Sequence, residues 1–342
     1  MKPAIRSMLF LFLFFIVTGA AHGNEALRFA ELGDFRLENN EVIRDCRLGY
    51  RTLGNLNSEK SNAVLFPTWF AGTTRDLIDT GNIGPGKLID TSRFYVIAVE
   101  SLGNGVSSSP SNSKEQSGQS FPQFSIRDMV DAEYLLLTRE LHLTRIHAVV
   151  GISMGGMQVF QWMVSYPEVF KRAVSIVGSP RLASSDLLRF QSEIMAIDTG
   201  RSCGDAGRGM NTVSAIHSLA LYTPGYIAMH TSPEEFPGYL AGIVKGIARF
   251  SPDDWEWQLK AIMGQDIYRT FGGSPERTAS AVRAKTLVIV SQQDQMVNPE
   301  PARVFSRLIN AEVLELEGNC GHAAFICEKE KLAGPVMKFL EQ

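Results

Sequence analysis

The chain has 342 residues, of which 44% are apolar and 20% charged, with 33 Lys and Arg against 36 Asp and Glu for a formal net charge of −3. This balance excludes a disordered polyelectrolyte and offers no basic stripe for nucleic acid; no His, Cys, Asp or Glu grouping has metal-ligand spacing, and neither metal nor cofactor is expected. The length suits one large α/β domain carrying an insertion.

In chain order, Met1 to Arg6 is basic, Met8 to Val17 is an apolar run, and Ala21-His22-Gly23 offers small residues before a cut. Residues 1–23 read as a secretory signal peptide, predicting export to the periplasm or medium without stable membrane insertion after cleavage. A membrane-anchoring helix is the alternative, although the apolar run is short of the roughly 20 residues needed to span. Phe35-Arg36-Leu37-Glu38 and Cys46-Arg47-Leu48-Gly49-Tyr50, flanking Asn39-Asn40-Glu41, suggest an antiparallel hairpin. Apolar strand runs then follow at Ala63 to Phe66, Phe94 to Val99, Ile146 to Val150, Ala173 to Val177, Thr286 to Val290 and Val313 to Leu316. Helical patterns such as Ile126 to Leu141 and Met157 to Val164 separate them, which predicts a mostly parallel eight-stranded sheet with helices on both faces. Ser107 to Gln119 is polar and serine-rich, a flexible loop by composition, near the rim of a site. The strand rhythm lapses between Pro180 and Val282, and this stretch turns helical. Residues 24–180 and 283–342 are thus expected to form the core, with 181–282 as a helical cap inserted after the sixth strand. Trp255, Trp257, Phe236, Tyr239, Met229 and Met263 either line a pocket under that cap or form its own core.

The chemistry gathers at strand ends. Val149-Val150-Gly151-Ile152-Ser153-Met154-Gly155-Gly156 runs an apolar strand into G-x-S-x-G and then a helix, the pattern of a nucleophile elbow with Ser153 at its apex. A serine hydroxyl needs a histidine base, and the histidine a carboxylate to hold its tautomer. Asp294 follows the strand Leu287 to Val290, and His322 sits in the loop Gly318-Asn319-Cys320-Gly321-His322 after the last strand. Asp294 taken alone reads as a helix cap, and His322 as a plain loop histidine. Together, in the order Ser153, Asp294, His322, they match the order of α/β-hydrolase triads. His142 and His147, His217 and His230 in the insertion, and His22 in the leader are weaker candidates. The backbone N–H of Met154 and that of Phe70, in Thr68-Trp69-Phe70-Ala71-Gly72, are the expected oxyanion donors.

Ser153-Met154-Gly155-Gly156-Met157-Gln158, Ile126-Arg127-Asp128-Met129-Val130, Leu102-Gly103-Asn104-Gly105 and Gly321-His322-x-Ala324-Phe325 resemble the homoserine O-acetyltransferases and related acyl hydrolases of the α/β-hydrolase superfamily. The resemblance runs over nearly all of the chain after the leader. It implies that Ser153 takes an acyl group from a small-molecule substrate, His322 serves as base and then acid, and Asp294 orients it. It also implies a homodimer through the cap. Three departures bear on the acceptor. Thr68-Trp69-Phe70-Ala71-Gly72 replaces His-Ala-Leu-Thr-Gly, and Gly321-His322-Ala323-Ala324-Phe325 replaces Gly-His-Asp-Ala-Phe. Phe190 to Ile194 lacks the arginine with which the transferases hold the homoserine carboxylate, although Arg189 is adjacent.

Since acetyl-CoA is cytoplasmic, an exported enzyme points to hydrolysis of an ester or thioester, with O-acyl transfer and a non-catalytic binding protein as alternatives. In an oxidising compartment Cys320 and Cys327 either pair and brace the loop of His322 or stay as buried thiols, with Cys46 and Cys203 completing the set.

Overall fold

The computed structural model describes residues 25–342, so the expected signal peptide at 1–23 lies outside the described residues. Ten strands occur in chain order: β1 (Arg28–Arg36), β2 (Val42–Leu53), β3 (Ala63–Pro67), β4 (Ile83–Gly84), β5 (Ile89–Asp90), β6 (Tyr95–Val99), β7 (Ile146–Ile152), β8 (Phe170–Ile176), β9 (Lys285–Ser291) and β10 (Glu312–Leu316). Eight of them form one sheet in the order β1-β2-β6-β3-β7-β8-β9-β10, antiparallel at β1/β2 and β2/β6 and parallel elsewhere. The parallel strands are covered on both faces, so they read as continuous apolar runs; every residue of β3 is buried, and six of seven in β9. One apolar cluster lies on each face of the sheet: Val149, Phe160, Trp162 and Phe305 on one side, Phe66, Val150, Ile289 and Phe339 on the other.

The hairpin begins earlier than Phe35, because Gly33 at φ 67° and two register shifts around it break the two-residue alternation that marks a strand. The helices α1 (Thr74–Asp79), α2 (Ile126–Leu135) and α3 (Met154–Ser165) precede the insertion. Ser125 and Asp128 close a capping box on α2, and the helical stretch continues in a wider turn through Glu140. Six helices lie between β8 and β9: α4 (Ser184–Ser202), α5 (Ala206–Leu221), α6 (Pro224–His230), α7 (Phe236–Ile247), α8 (Pro252–Met263) and α9 (Pro275–Ala281). The chain closes with α10 (Glu300–Leu308), α11 (Ala324–Cys327) and α12 (Lys329–Glu341). Among the described residues no helix is long and apolar enough to cross a membrane.

Candidate active site

β7 delivers Ser153 at the C-terminal edge of the sheet, where α3 begins at the next residue. Ser153 stands at φ 57°, ψ −119°, a conformation costly for a side chain and held by its own N–H donating to the Ile176 carbonyl at 2.8 Å. The flanking glycines make the turn possible. A Cβ on Gly151 would stand 2.2 Å from the Gly155 carbonyl oxygen, and one on Gly155 would stand 2.8 Å from that of Pro67.

Asp294 follows β9 and His322 follows β10, and the structure brings both to Ser153. His322 Nδ1–H donates to Asp294 Oδ2 at 2.7 Å, and Ser153 Oγ–H donates to His322 Nε2 at 2.8 Å. All three are buried, Ser153 keeping 8% of its surface exposed and His322 2%. Asp294 Oδ1 accepts the backbone N–H groups of Met296 and Val297, each at 2.9 Å, so both carboxylate oxygens are engaged and the plane is fixed. Cys320 and Cys327 are joined by a disulfide around His322, which resolves the two readings open at the sequence level. Behind Asp294, buried Asp186 accepts N–H bonds from Ala183 and Asn298, tying the start of α4 to the loop after Asp294. Burial is the main reason its carboxyl is raised above the usual range, with the nearby Asp294 charge adding to it.

The loop after β3, whose Pro67 and Thr68 carbonyls approach Gly155 next to the turn at Ser153, carries Phe70. Its neighbours spend their amides inside the protein: Thr68 N–H on the Val99 carbonyl, Ala71 N–H on Gln258 Oε1 at 2.8 Å, Gly72 N–H on the Trp69 carbonyl. Phe70 N–H takes no acceptor among the described residues, and Met154 N–H, first in α3, has no intrahelical partner. Both proposed donors are therefore unspent. Gln158, the last residue of the S-M-G-G-M-Q run, donates through Nε2 to the Thr68 carbonyl and Ser101 Oγ at 3.3 and 3.1 Å, fastening α3 to the loop. Glu100, buried at the end of β6, accepts from Thr74 N–H and Oγ1 and from Asn104 Nδ2 on the loop's far side. Desolvation raises its carboxyl above the ordinary range.

Gln158, Gln258, Glu100 and Asp186 were not singled out from the sequence. Gln158 carried a signal, since an amide among Met157, Val159 and Phe160 must find a partner; the other three pair across long sequence separations. The serine-rich loop is also a correction. Ser107, Ser108 and Ser109 are buried, their hydroxyls taking the N–H groups of Gly49, Arg47 and Gly105, so the first part of the segment is a hydrogen-bonded plug against β2, while residues 111–119 are exposed or half-buried. Of the six aromatic and methionine candidates, Trp255 meets the Phe70 ring edge-on at 4.6 Å, Trp257 is buried on the Phe121 carbonyl, and Phe236 and Met229 are exposed.

A cleft of about 550 Å³ opens at the starts of β9 and β10, lined by Lys285 and Glu312, at the opposite edge of the sheet from Ser153. Another of about 320 Å³ lies beside Ala71, lined by Asn104, Ser111, Arg249 and Asp254. Neither touches Ser153 or His322, so position at the strand ends outweighs volume here. Among the described residues no three His, Cys, Asp or Glu side chains are placed to hold a metal ion.

Comparison with known proteins agrees with this fold. The alpha/beta hydrolase fold family matches residues 82–328. The chain is 31% identical to an ethyl acetate hydrolase from Pseudomonas veronii, over 85% of its own length and 87% of that protein. It is 29% identical to a homoserine O-acetyltransferase from Methanococcoides burtonii, over 90% of its length and 72% of that protein. The structure of an acetylester hydrolase from Corynebacterium glutamicum superposes with a TM-score of 0.87 at 26% identity, covering 93% of this chain and 96% of that one. The chain is an enzyme of the alpha/beta hydrolase family, related within it to esterases and to homoserine O-acetyltransferases.

Proposed function

We propose that this enzyme is an exported serine esterase that hydrolyses short acyl esters through an acyl-enzyme. The hydrogen-bonded line Ser153, His322, Asp294 carries the reading. His322 Nε2 takes the Ser153 proton as Oγ attacks the ester carbonyl, and Asp294 stabilises the imidazolium that forms. The unspent amides of Phe70 and Met154 receive the charge on the carbonyl oxygen. His322 then protonates the leaving alcohol, and the same groups run in reverse with water to release the acid. The ethyl acetate hydrolase and acetylester hydrolase among the relatives favour an acetyl group, although thioesters are open to the same chemistry.

The test is intact-mass kinetics with p-nitrophenyl acetate. An acetyl adduct that decays in water alone is expected on the wild type and none on Ser153→Ala, whose melting temperature should stay near that of the wild type. Turnover by Ser153→Ala overturns the reading.

One observation favours acyl transfer to an anionic acceptor instead. Arg189 Nη1 in α4 is buried without a hydrogen-bond partner, and Arg189 joins no ion pair among the described residues, so the guanidinium lacks the acceptor that a carboxylate would supply. Adduct decay that requires homoserine would establish that alternative.

Export is supported by the leader-like residues 1–23 and by the disulfide, which suits an oxidising compartment. Finding the unprocessed N-terminus in the cytoplasm of the producing cell would refute it. The insertion provides a surface for pairing: α7 buries none of its residues, and Leu188, Leu219 and Phe236 are exposed. We propose a homodimer through these helices, which a monomeric mass in sedimentation at micromolar concentration would contradict.

A further inference from the structure

A second imidazole stands beside the ring of Phe70. His217 lies in α5 four residues before Leu221, on the same helix face. The Leu221 carbonyl is 3.1 Å from where a Cβ would stand on Gly321, so this end of α5 abuts the turn that carries His322. On its other side the His217 ring lies 5.8 Å from that of Phe70 and 5.0 Å from that of Trp255, centroid to centroid. His217 thus packs against the loop that carries Phe70, on a helix whose end meets the turn that carries His322.

A fully buried carboxylate fixes its orientation. Glu193 in α4 accepts His217 Nδ1–H on Oε1 at 3.2 Å and Trp255 Nε1–H on Oε2 at 2.9 Å. A carboxylate only accepts, so Nδ1 carries a proton, and the tautomer this bond selects in the uncharged ring has its lone pair on Nε2. Nε2 takes no partner among the described residues, and the side chain keeps 15% of its surface open.

We propose that Glu193 and His217 form a water-positioning pair that favours water over alcohols in deacylation. The proposal rests on the acyl-enzyme reading above. Water attacking the acyl carbon gives one proton to His322 Nε2 and keeps the other, which hydrogen-bonds to His217 Nε2. As the tetrahedral intermediate collapses, the bond from carbon to Ser153 Oγ breaks, Oγ takes the proton from His322, and the acid leaves. An alcohol has one O–H, and His322 needs it. His217 therefore stabilises the attack of water and gives an alcohol nothing, while its lone pair stands against the alkyl group that replaces the second proton.

The measurement is the partition of one acetyl-enzyme. p-Nitrophenyl acetate is turned over in buffer containing a fixed concentration of ethanol, and acetate and ethyl acetate are quantified at early times. Their ratio compares two fates of the same intermediate, so it is independent of how much protein folds or how fast it is acylated. In His217→Phe the acetate to ethyl acetate ratio should fall about tenfold, the worth of one hydrogen bond in the transition state. Glu193→Gln, which keeps the shape but removes the charge behind the ring, should give a smaller fall in the same direction. A ratio within twofold of wild type in His217→Phe, with the acyl adduct intact, overturns the pair. Absence of any adduct on the wild type overturns the acyl-enzyme reading instead, and is recognised by the missing burst.

Discussion

Glu133 of α2 is fully buried behind the nucleophile helix, where Oε2 accepts Trp162 Nε1–H at 2.6 Å and Oε1 has no partner. Desolvation pushes its carboxyl up to about 8 from an ordinary value near 4.5, the bond from Trp162 offsetting part of the rise. The folded state then keeps a proton that the unfolded chain gives up. Stability from this group is whole below about pH 4.5, declines as pH climbs, and is flat above about pH 8. At about 1.36 kcal/mol per pH unit, the decline between pH 6 and pH 9 is roughly 2–3 kcal/mol, or about 5 °C in melting temperature for a chain of this size. Glu133→Gln still accepts from Trp162 and does not titrate. Its extra amide hydrogens find no acceptor, at a cost of about 1–3 kcal/mol that is the same at every pH. Thermal unfolding of both proteins at pH 6, 7, 8 and 9 should therefore show the variant at or below the wild type at pH 6 and gaining on it by about 5 °C at pH 9. Parallel curves across that range would mean that Glu133 is not held neutral in the fold.

Two further outcomes follow from the site. Asp294→Asn keeps an acceptor near His322 but not the charge that holds its tautomer, so kcat for p-nitrophenyl acetate should fall roughly 10³- to 10⁴-fold while KM changes little; a loss under tenfold would remove Asp294 from the triad. Reducing the bond between Cys320 and Cys327, seven residues apart, should cost about 2 kcal/mol by the loop-closure relation and lower the melting temperature by a few degrees. An unchanged melting temperature after complete reduction, verified by thiol alkylation, would show that the bridge does not brace the His322 loop.

That Ser153, His322 and Asp294 would meet was legible because each sits where an apolar strand run stops. G-x-S-x-G at Ser153 has few alternatives once a strand precedes it, and Asp294 and His322 come at the ends of β9 and β10 in the matching order. The sheet was legible for the same reason, since strands covered on both faces must be apolar throughout. Reading failed where polar residues fold inward. Ser107 to Ser109 look like solvent-exposed loop, and only the N–H groups of Gly49, Arg47 and Gly105 waiting opposite them turn that composition into a buried plug.

The sequence by itself determined the local pattern: which residue stands at the elbow, which strands are buried, and that the stretch after β8 turns helical. Periodicity and turn stereochemistry are properties of neighbours along the chain, so they leave a trace in composition and spacing. Tertiary structure alone decided which buried polar groups pair at a distance: Gln258 with the amide of Ala71, Asp186 with that of Asn298, Glu193 with His217. Ala71 and Gln258 are 187 residues apart, and His217 and Glu193 meet only because α4 and α5 fold back on each other. Such pairings are selected by the need to satisfy buried polar atoms in three dimensions, a requirement that spacing along the chain does not encode.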